Sequence, residues 1–403
     1  MPSASSPRRV TQAWVQSRRF ATQRLSSTPL PSATEAVRLL TCVQSQDAPL
    51  AHWSLGMRIK DESYAGSLAE QATGTFVRTH VLRPTWHFVA AEDLRWIQSL
   101  TSAKVLSSMA GRHRGLGLTS AVTDKAVSAL REMLKDRKAL TRKQITAEFA
   151  ERGLPSQGEQ MAHQLITAEM HSVICSGPPA GAGGKSSGSP GARSGGLSRS
   201  SGSAGPTPSA EHTYVLVDEV IPLGPFDSLP ETDRPAAIGE LTHRFVAGHG
   251  PVDDRDLNRW CTLTLTEIRA ARTELTDAGT LDTVVLDGRT LWLDPTTAAR
   301  TTRAATAYLL STFDEVTLTY PSDGPRRATP DHDRTRLLSE AGGGTTLVDG
   351  IDIGVWKRKV VKGAVEVRVL PEIDLTRAQK SAIEEAAARL GNFLGLEPRL
   401  TFS

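Results

Sequence analysis

The chain has 403 residues, with 47 Lys plus Arg against 44 Asp plus Glu and three cysteines; that length exceeds one hydrophobic core and calls for about two to four domains. No apolar run is long enough to span a bilayer, Met1 to Arg9 lack the apolar centre of a secretory signal, and Cys42, Cys175 and Cys261 stand far apart with no CxxC pair or histidine cluster, so a membrane span, a disulfide framework and a zinc site are excluded and a reducing cytoplasm is expected. The net charge of +3 divides unevenly: residues 1–150 hold 21 Lys plus Arg against 11 Asp plus Glu, an excess of ten, while the remainder hold 26 against 33, a deficit of seven, so a polyanion is expected to face the first half, with solvated helix faces as the bland alternative.

Residues 1–9 read as a disordered tail; the stretch up to Ser27, rich in Arg and Ser with no acid before Glu35, has a mitochondrial transit peptide as its competing reading. Residues 10–30 form a basic helix with Arg18, Arg19 and Arg24 exposed, and Ser32 or Thr34 caps a second helix that carries Val37, Leu39, Leu40 and Val43. The stretch Val43-Gln44-Ser45-Gln46-Asp47 follows. In an extended chain residues i and i+2 share a face, so Gln44 and Gln46 present two amides to one small volume, while Asp47 points away. On a helix they diverge by roughly 200°. Leu50 to Met57 reads as a buried helix and Gly66 to Ala72 as a shorter one. Phe76 to Val89 has strand character at both ends and a turn near Arg83-Pro84. Helices followed by a two-stranded wing make module 1, residues 10–100. Its wing carries Arg78, Arg83 and His87, charged or polar groups that are costly in a core and useful beside phosphates. Pairing of Arg78 with Glu92 or Asp93 is the competing reading, and His80 and Trp86 are read as core.

Module 2, residues 101–222, has helical patterns over 119–150 with Thr141 as an N-cap, a helix from Gln157 to His171, and short strands at Val173–Cys175 and Thr213–Val217. Between the strands, residues 177–210 are almost wholly Gly, Ser, Pro and Ala and read as a disordered insert at a wing tip. Module 3, residues 234–300, is clearest: a helix over Ala236–Ala247, the turn His249-Gly250-Pro251, a second helix to Trp260, a third from Leu265 to Asp277 with a Thr264/Glu267 capping box, and a hairpin turned by Asp287-Gly288. Arg269 and Arg272 lie on its third helix. Residues 305–403 read as a β-rich domain, with strands at Tyr308–Thr312, Glu315–Tyr320, Thr345–Val348, Gly354–Lys359 and Val365–Val369 and a helix over Arg377–Leu390.

Val43 to Asp47, Leu50 to Met57, Val77 to Val89, Gly111 to Arg114, His249-Gly250-Pro251, Thr312 to Glu315 and Val348-Asp349-Gly350 together resemble the AlkZ/YcaQ-like winged-helix DNA glycosylases. The resemblance covers nearly the whole chain apart from the tail and the insert. It implies an α+β architecture: three tandem winged-helix modules and a small C-terminal β-barrel-like domain around a concave DNA-binding face. The family's catalytic motif is Gln, an aliphatic residue, then Gln, or Asp in a second branch. Here it falls on Gln44 and Gln46, with Ser45 departing from the pattern. A C-terminal hairpin that probes DNA in the family would place Lys357 and Arg358 at the duplex. The expected activity is cofactor-free hydrolysis of the N-glycosidic bond of N7- or N3-alkylated purines in double-stranded DNA, bulky or cross-linked ones included, by a monomer with no metal and no membrane contact. Gln44 and Gln46 would hold the attacking water and stabilise the developing charge. The competing expectation is a non-catalytic winged-helix DNA-binding protein, such as a transcriptional regulator.

Overall fold

The computed structural model describes residues 7–61, 63–178, 211–297, 306–329 and 342–403. In chain order the first part comprises β1 (Arg8–Arg9), α1 (Gln12–Thr22), α2 (Ala33–Leu40), β2 (Cys42–Gln44), α3 (Ala48–Gly56), α4 (Tyr64–Ala72), β3 (Phe76–His80) and β4 (Trp86–Ala90). The second comprises α5 (Leu94–Gly115), α6 (Ser120–Met133), β5 (Leu140–Thr141), α7 (Arg142–Glu151), α8 (Gly158–Met170), β6 (Ile174–Ser176), β7 (Thr213–Leu216) and α9 (Val217–Val220). Then come α10 (Leu229–Thr232), α11 (Arg234–His249), α12 (Asp254–Trp260), α13 (Leu265–Asp277), β8 (Asp282–Leu286) and β9 (Arg289–Leu293). The last part holds β10 (Ala307–Leu309), α14 (Glu315–Leu318), β11 (Gly343–Val348), β12 (Ile351–Val361), β13 (Ala364–Pro371), α15 (Arg377–Leu394) and β14 (Glu397–Phe402). The architecture is mixed α+β.

Local chemistry explains most boundaries. Ser32 caps α2 by accepting from the Glu35 N–H, and Asp47 caps α3 by accepting from Leu50. Thr141 and Thr264 each close a capping box, with Gln144 and Glu267. At the β8–β9 turn Asp287 and Gly288 both take positive φ, 48° and 79°, the two-residue turn whose twist matches a hairpin. Gly395, at φ 65°, ends α15 in the left-handed conformation that glycine adopts without penalty.

Three of the four sheets are three-stranded and built alike, with a hairpin joined by one further short strand: β2-β4-β3, β5-β7-β6 and β1-β8-β9. The fourth has the order β10-β11-β12-β13-β14, antiparallel except for the parallel β13–β14 pair. A core running through Trp96, Phe245 and Trp260 joins the first wing to α5, α11 and α12. A second packs Leu50 and Trp53 of α3 against Trp356 and Phe393. A third packs Ala51 and Leu55 of α3 against Val37 and Phe88; each large, fully buried side chain contributes about 1.5–3 kcal/mol, so α3, which begins just after the glutamine pair, is held on more than one face. Its far end is pinned by a fully buried ion pair: Arg58 donates to both carboxylate oxygens of Asp314, at 2.9 and 3.0 Å. Burial alone would raise the Asp314 carboxyl, but the Arg58 guanidinium outweighs it and holds the group below its ordinary value.

Several expectations change. Arg8 and Arg9, read as tail, form a strand parallel to β8, because the edge of that hairpin offers main-chain partners. Glu315–Tyr320, read as a strand from its β-branched residues, begins with the short helix α14, because the Asp314 carboxylate accepts from the Val316 N–H and starts a turn. Glu397–Phe402 forms a strand that the sequence reading lacked. Gly177 donates its N–H to the Thr213 carbonyl at 2.9 Å and so continues the β6–β7 ladder; residues 179–210 of the proposed insert lie outside the described residues.

Candidate active site

The glutamine pair lies at the end of an edge strand. β2 pairs only with β4, placing Gln44 opposite His87. One residue beyond it the Ser45 N–H still donates to the Trp86 carbonyl at 2.7 Å, and the chain bends at Gln46. Gln44 is buried and Gln46 is exposed. The Gln44 Oε1 accepts from the Arg83 guanidinium at 2.7 Å, and the Gln46 Oε1 accepts from the Trp86 N–H at a long 3.4 Å. Both amide oxygens therefore face the wing turn between Arg83 and Trp86.

The orientation of each amide follows from its partner. A guanidinium and a main-chain N–H only donate, so each glutamine must turn its oxygen to the wing and its NH2 away. One lone pair of each carbonyl remains, and two N–H bonds of each amide are directed elsewhere. The side chains of the pair thus offer neutral donors and acceptors together. Asp47, beside the pair, is engaged in capping α3.

Of the three wing residues read as phosphate contacts, Arg78 and Arg83 bond the glutamine stretch. Arg78 is half-buried, lies over the Trp86 ring at 4.2 Å from its centroid, and donates to the main-chain carbonyls of Ser45 at 3.0 Å and Gln46 at 3.3 Å. It does not pair with Glu92 or Asp93, which bond Arg38 and Arg244. Arg83 is half-buried and reaches Gln44 and the Arg259 carbonyl. Burial lowers the pKa of both guanidiniums from the ordinary arginine value. His87 corrects its reading outright. It is 1% exposed, and burial, then the nearby Arg83 charge, pushes its imidazole well below the ordinary value. A neutral ring beneath the strand offers nothing to a phosphate. His80 is core as expected, bonded to Glu169 of α8.

The C-terminal hairpin comes close to the same site. Arg358 on β12 lies within the field of Asp47 and Tyr64, and burial is the main cause that lowers its pKa. Lys357, its neighbour, is half-buried. Arg269 and Arg272 both bond Asp254 and so are engaged within their own helical unit. Ser45 is fully buried, and its hydroxyl has no hydrogen-bond partner among the described residues. Sequence reasoning missed one residue, Glu315. Its carboxylate accepts from the Gln44 main-chain N–H at 3.1 Å across 271 positions of chain. Only its place in Thr312-Phe313-Asp314-Glu315 marked it. Among the described residues no cluster of three or more His, Cys, Asp or Glu could hold a metal, and no helix is long and apolar enough to cross a membrane.

A family model described as DNA glycosylase AlkZ-like matches residues 37–393. The solved structure of Streptomyces sahachiroi DNA glycosylase AlkZ is similar in fold, with a TM-score of 0.68 at 20% identity over 98% of this chain and 100% of that chain. No curated protein sequence matches the chain. The family match takes in most of the chain, including the glutamine pair, its wing and the hairpin, and the chain therefore belongs to the AlkZ-like DNA glycosylase family, a DNA-binding hydrolase of DNA repair.

Proposed function

We propose that the protein is a monofunctional glycosylase that hydrolyses the N-glycosidic bond of N7- or N3-alkylated purines in double-stranded DNA, acting as a cytoplasmic monomer without cofactor. In this reading residues 10–100, 101–222 and 234–300 are winged-helix modules, and residues 305–403 form a barrel-like domain beside them. The repeated joining of helices to a small three-stranded sheet supports that division.

The observation that carries the chemistry is the pair of oriented amides facing one wing turn. An alkylated purine is already cationic and leaves without strong protonation. Cleavage then passes through an oxocarbenium-like state, and the enzyme's task is to hold water at the sugar carbon and to steady the developing charge. An amide is too weak a base to take a proton from water early, so it suits only a bond that breaks well ahead of attack. Ordinary glycosidases, facing a poorer leaving group, use a carboxylate pair. Here the free lone pair of the Gln44 or Gln46 carbonyl accepts from the water, and dipoles of the same amides stabilise the sugar cation. Gln46 stands exposed, which leaves room for an adduct larger than methyl.

The test is base release from a duplex carrying N7-methylguanine, at low salt, by the wild type and by Gln44→Ala/Gln46→Ala. Low salt matters because phosphate contacts weaken steeply with ionic strength. Release by the wild type that disappears in the double variant is expected. Unchanged release by the double variant overturns the assignment of the two glutamines.

A further inference from the structure

The reaction as described leaves one buried charge at the site unused. Glu315 is 2% exposed. Its Oε1 accepts from the Gln44 main-chain N–H at 3.1 Å. Its Oε2 accepts from the Trp260 indole N–H at 3.2 Å and the Thr319 hydroxyl at 3.1 Å, and the His249 Nε2 lies 3.6 Å from the same oxygen.

The geometry of β2 makes the first contact consequential. Successive N–H groups of a strand point to opposite sides. The Ser45 N–H points into the sheet, toward Trp86, so the Gln44 N–H points outward from the open edge. A buried edge N–H without a partner costs as much as a lost hydrogen bond. Among the described residues no strand covers that edge; the carboxylate does. β2 is three residues long and has one ladder neighbour, so the ladder alone is a weak clamp. The other donors to Glu315 are Trp260 of α12 and Thr319, just past the end of α14, so the carboxylate ties the strand to two segments distant from it in the chain. The same charge favours the Arg83 guanidinium that grips the Gln44 side chain.

We infer that Glu315 is a positioning residue for base excision: it fixes the Gln44 main chain from behind, so that the side-chain amide meets the substrate in one orientation. This rests on the proposed role of the glutamine pair. Glu315 touches neither substrate nor reacting atoms in this role, and Arg83 and Glu315 together hold Gln44 at its side chain and at its backbone.

Glu315→Gln tests it. All three hydrogen-bonding partners of the carboxylate donate, and a glutamine offers one oxygen and one NH2; Oε2 faces two donors and Oε1 one, so the variant's oxygen takes the Trp260 and Thr319 side and its NH2 is set against the Gln44 N–H, which loses its acceptor. Single-turnover base release at saturating enzyme is expected to fall about 10- to 100-fold, with affinity for undamaged duplex unchanged within about 2-fold. Hydrogen exchange at the Gln44 amide is expected to accelerate at least about 10-fold. Trp260→Phe removes a donor from Oε2 and leaves the strand contact, so it should move neither readout by more than about 3-fold. The wild type supplies a measurement that survives failure of a variant to fold: its Gln44 amide, though on a sheet edge, should be protected from exchange like that of Ser45. The inference is overturned by an unprotected Gln44 amide in the wild type, by Glu315→Gln keeping rate and exchange at wild-type values, or by Trp260→Phe matching its losses. A protected Gln44 amide in a wild type that releases no base overturns the proposed reaction, and with it the positioning role, while leaving the carboxylate's hold on the strand established.

Discussion

Replacing Arg83 by Met separates two roles for one guanidinium. Its contact with the Gln44 Oε1 is 2.7 Å long and charge-assisted, a class worth about 1.5–3 kcal/mol. If the held orientation of Gln44 is used in the transition state, that energy appears as a loss of about 10- to 100-fold in single-turnover base release at saturating enzyme. Duplex affinity should change little, since the guanidinium is already engaged by Gln44 and the Arg259 carbonyl. A phosphate contact behaves otherwise: its loss weakens binding to any duplex and lowers the salt slope of affinity by about one, with the rate of the bound complex unchanged. The assay is release from an N7-methylguanine duplex, set beside binding of undamaged duplex over a range of salt. A rate within about 3-fold of wild type, joined to a reduced salt slope, refutes the structural assignment and restores the phosphate reading.

Arg58→Met leaves the fully buried Asp314 carboxylate without its partner, and a stability loss of about 3–5 kcal/mol is expected in urea unfolding; a loss below about 1 kcal/mol would contradict it. Ser45→Ala removes a buried hydroxyl that has no partner among the described residues, so stability should hold or rise by up to about 1 kcal/mol with base release retained, and a clear drop in melting temperature would show that the hydroxyl is bonded. Acid should weaken the fold through two buried histidines. Burial lowers the His52 pKa to about 4 and that of His87 well below its ordinary value, so as pH falls through about 6.5 the unfolded chain takes up these protons first and stability is lost, by about 2 kcal/mol from His52 at pH 5 and in the same direction from His87; Asp256, whose carboxyl burial pushes up to about 7, opposes this in part, since the folded chain takes up its proton first. Unfolding midpoints that stay flat from pH 7 to pH 5 would exclude this.

What the sequence made legible and what it hid follow from separation along the chain. The shared face read for Gln44 and Gln46 rests on the period of two in a strand, a local property; the strand ends at Gln44 and the chain bends at Gln46, while both amide oxygens reach the wing turn. The Thr141 N-cap, the Thr264 capping box and the Asp287-Gly288 turn are local as well, and all three form. Arg78, Arg83 and His87 were legible as unusual residues to place on a wing, but composition shows a charge and not its partner. The partners prove to be carbonyl oxygens of the site for the arginines and burial for the histidine. Glu315 was hidden because its value depends on a contact spanning 271 residues. β14 was hidden because Glu397–Phe402 contains a proline and no apolar run; it docks on β13, whose ladder supplies the order that its own residues lack.

The two glutamines are unequally held, and the difference has a consequence. Gln44 is fixed twice, by Arg83 at its side chain and by Glu315 at its main chain. The Gln46 side chain has one contact, at 3.4 Å, and is exposed. A rigid amide aligns one reactant at little entropic cost on binding, whereas a looser one must be ordered by the substrate. Gln44→Asn withdraws the amide by one methylene, beyond reach of an Arg83 that is itself held, so pre-alignment is lost. Gln46→Asn withdraws an amide that was free to move, and a small shift of the bound lesion or of the exposed chain recovers much of the contact. Single-turnover release by Gln44→Asn should therefore be slower than that by Gln46→Asn by at least about 10-fold, the value of one fixed hydrogen bond. Equal losses in the two variants would mean that the contacts from Arg83 and Glu315 hold the fold and do not set the geometry of the reaction.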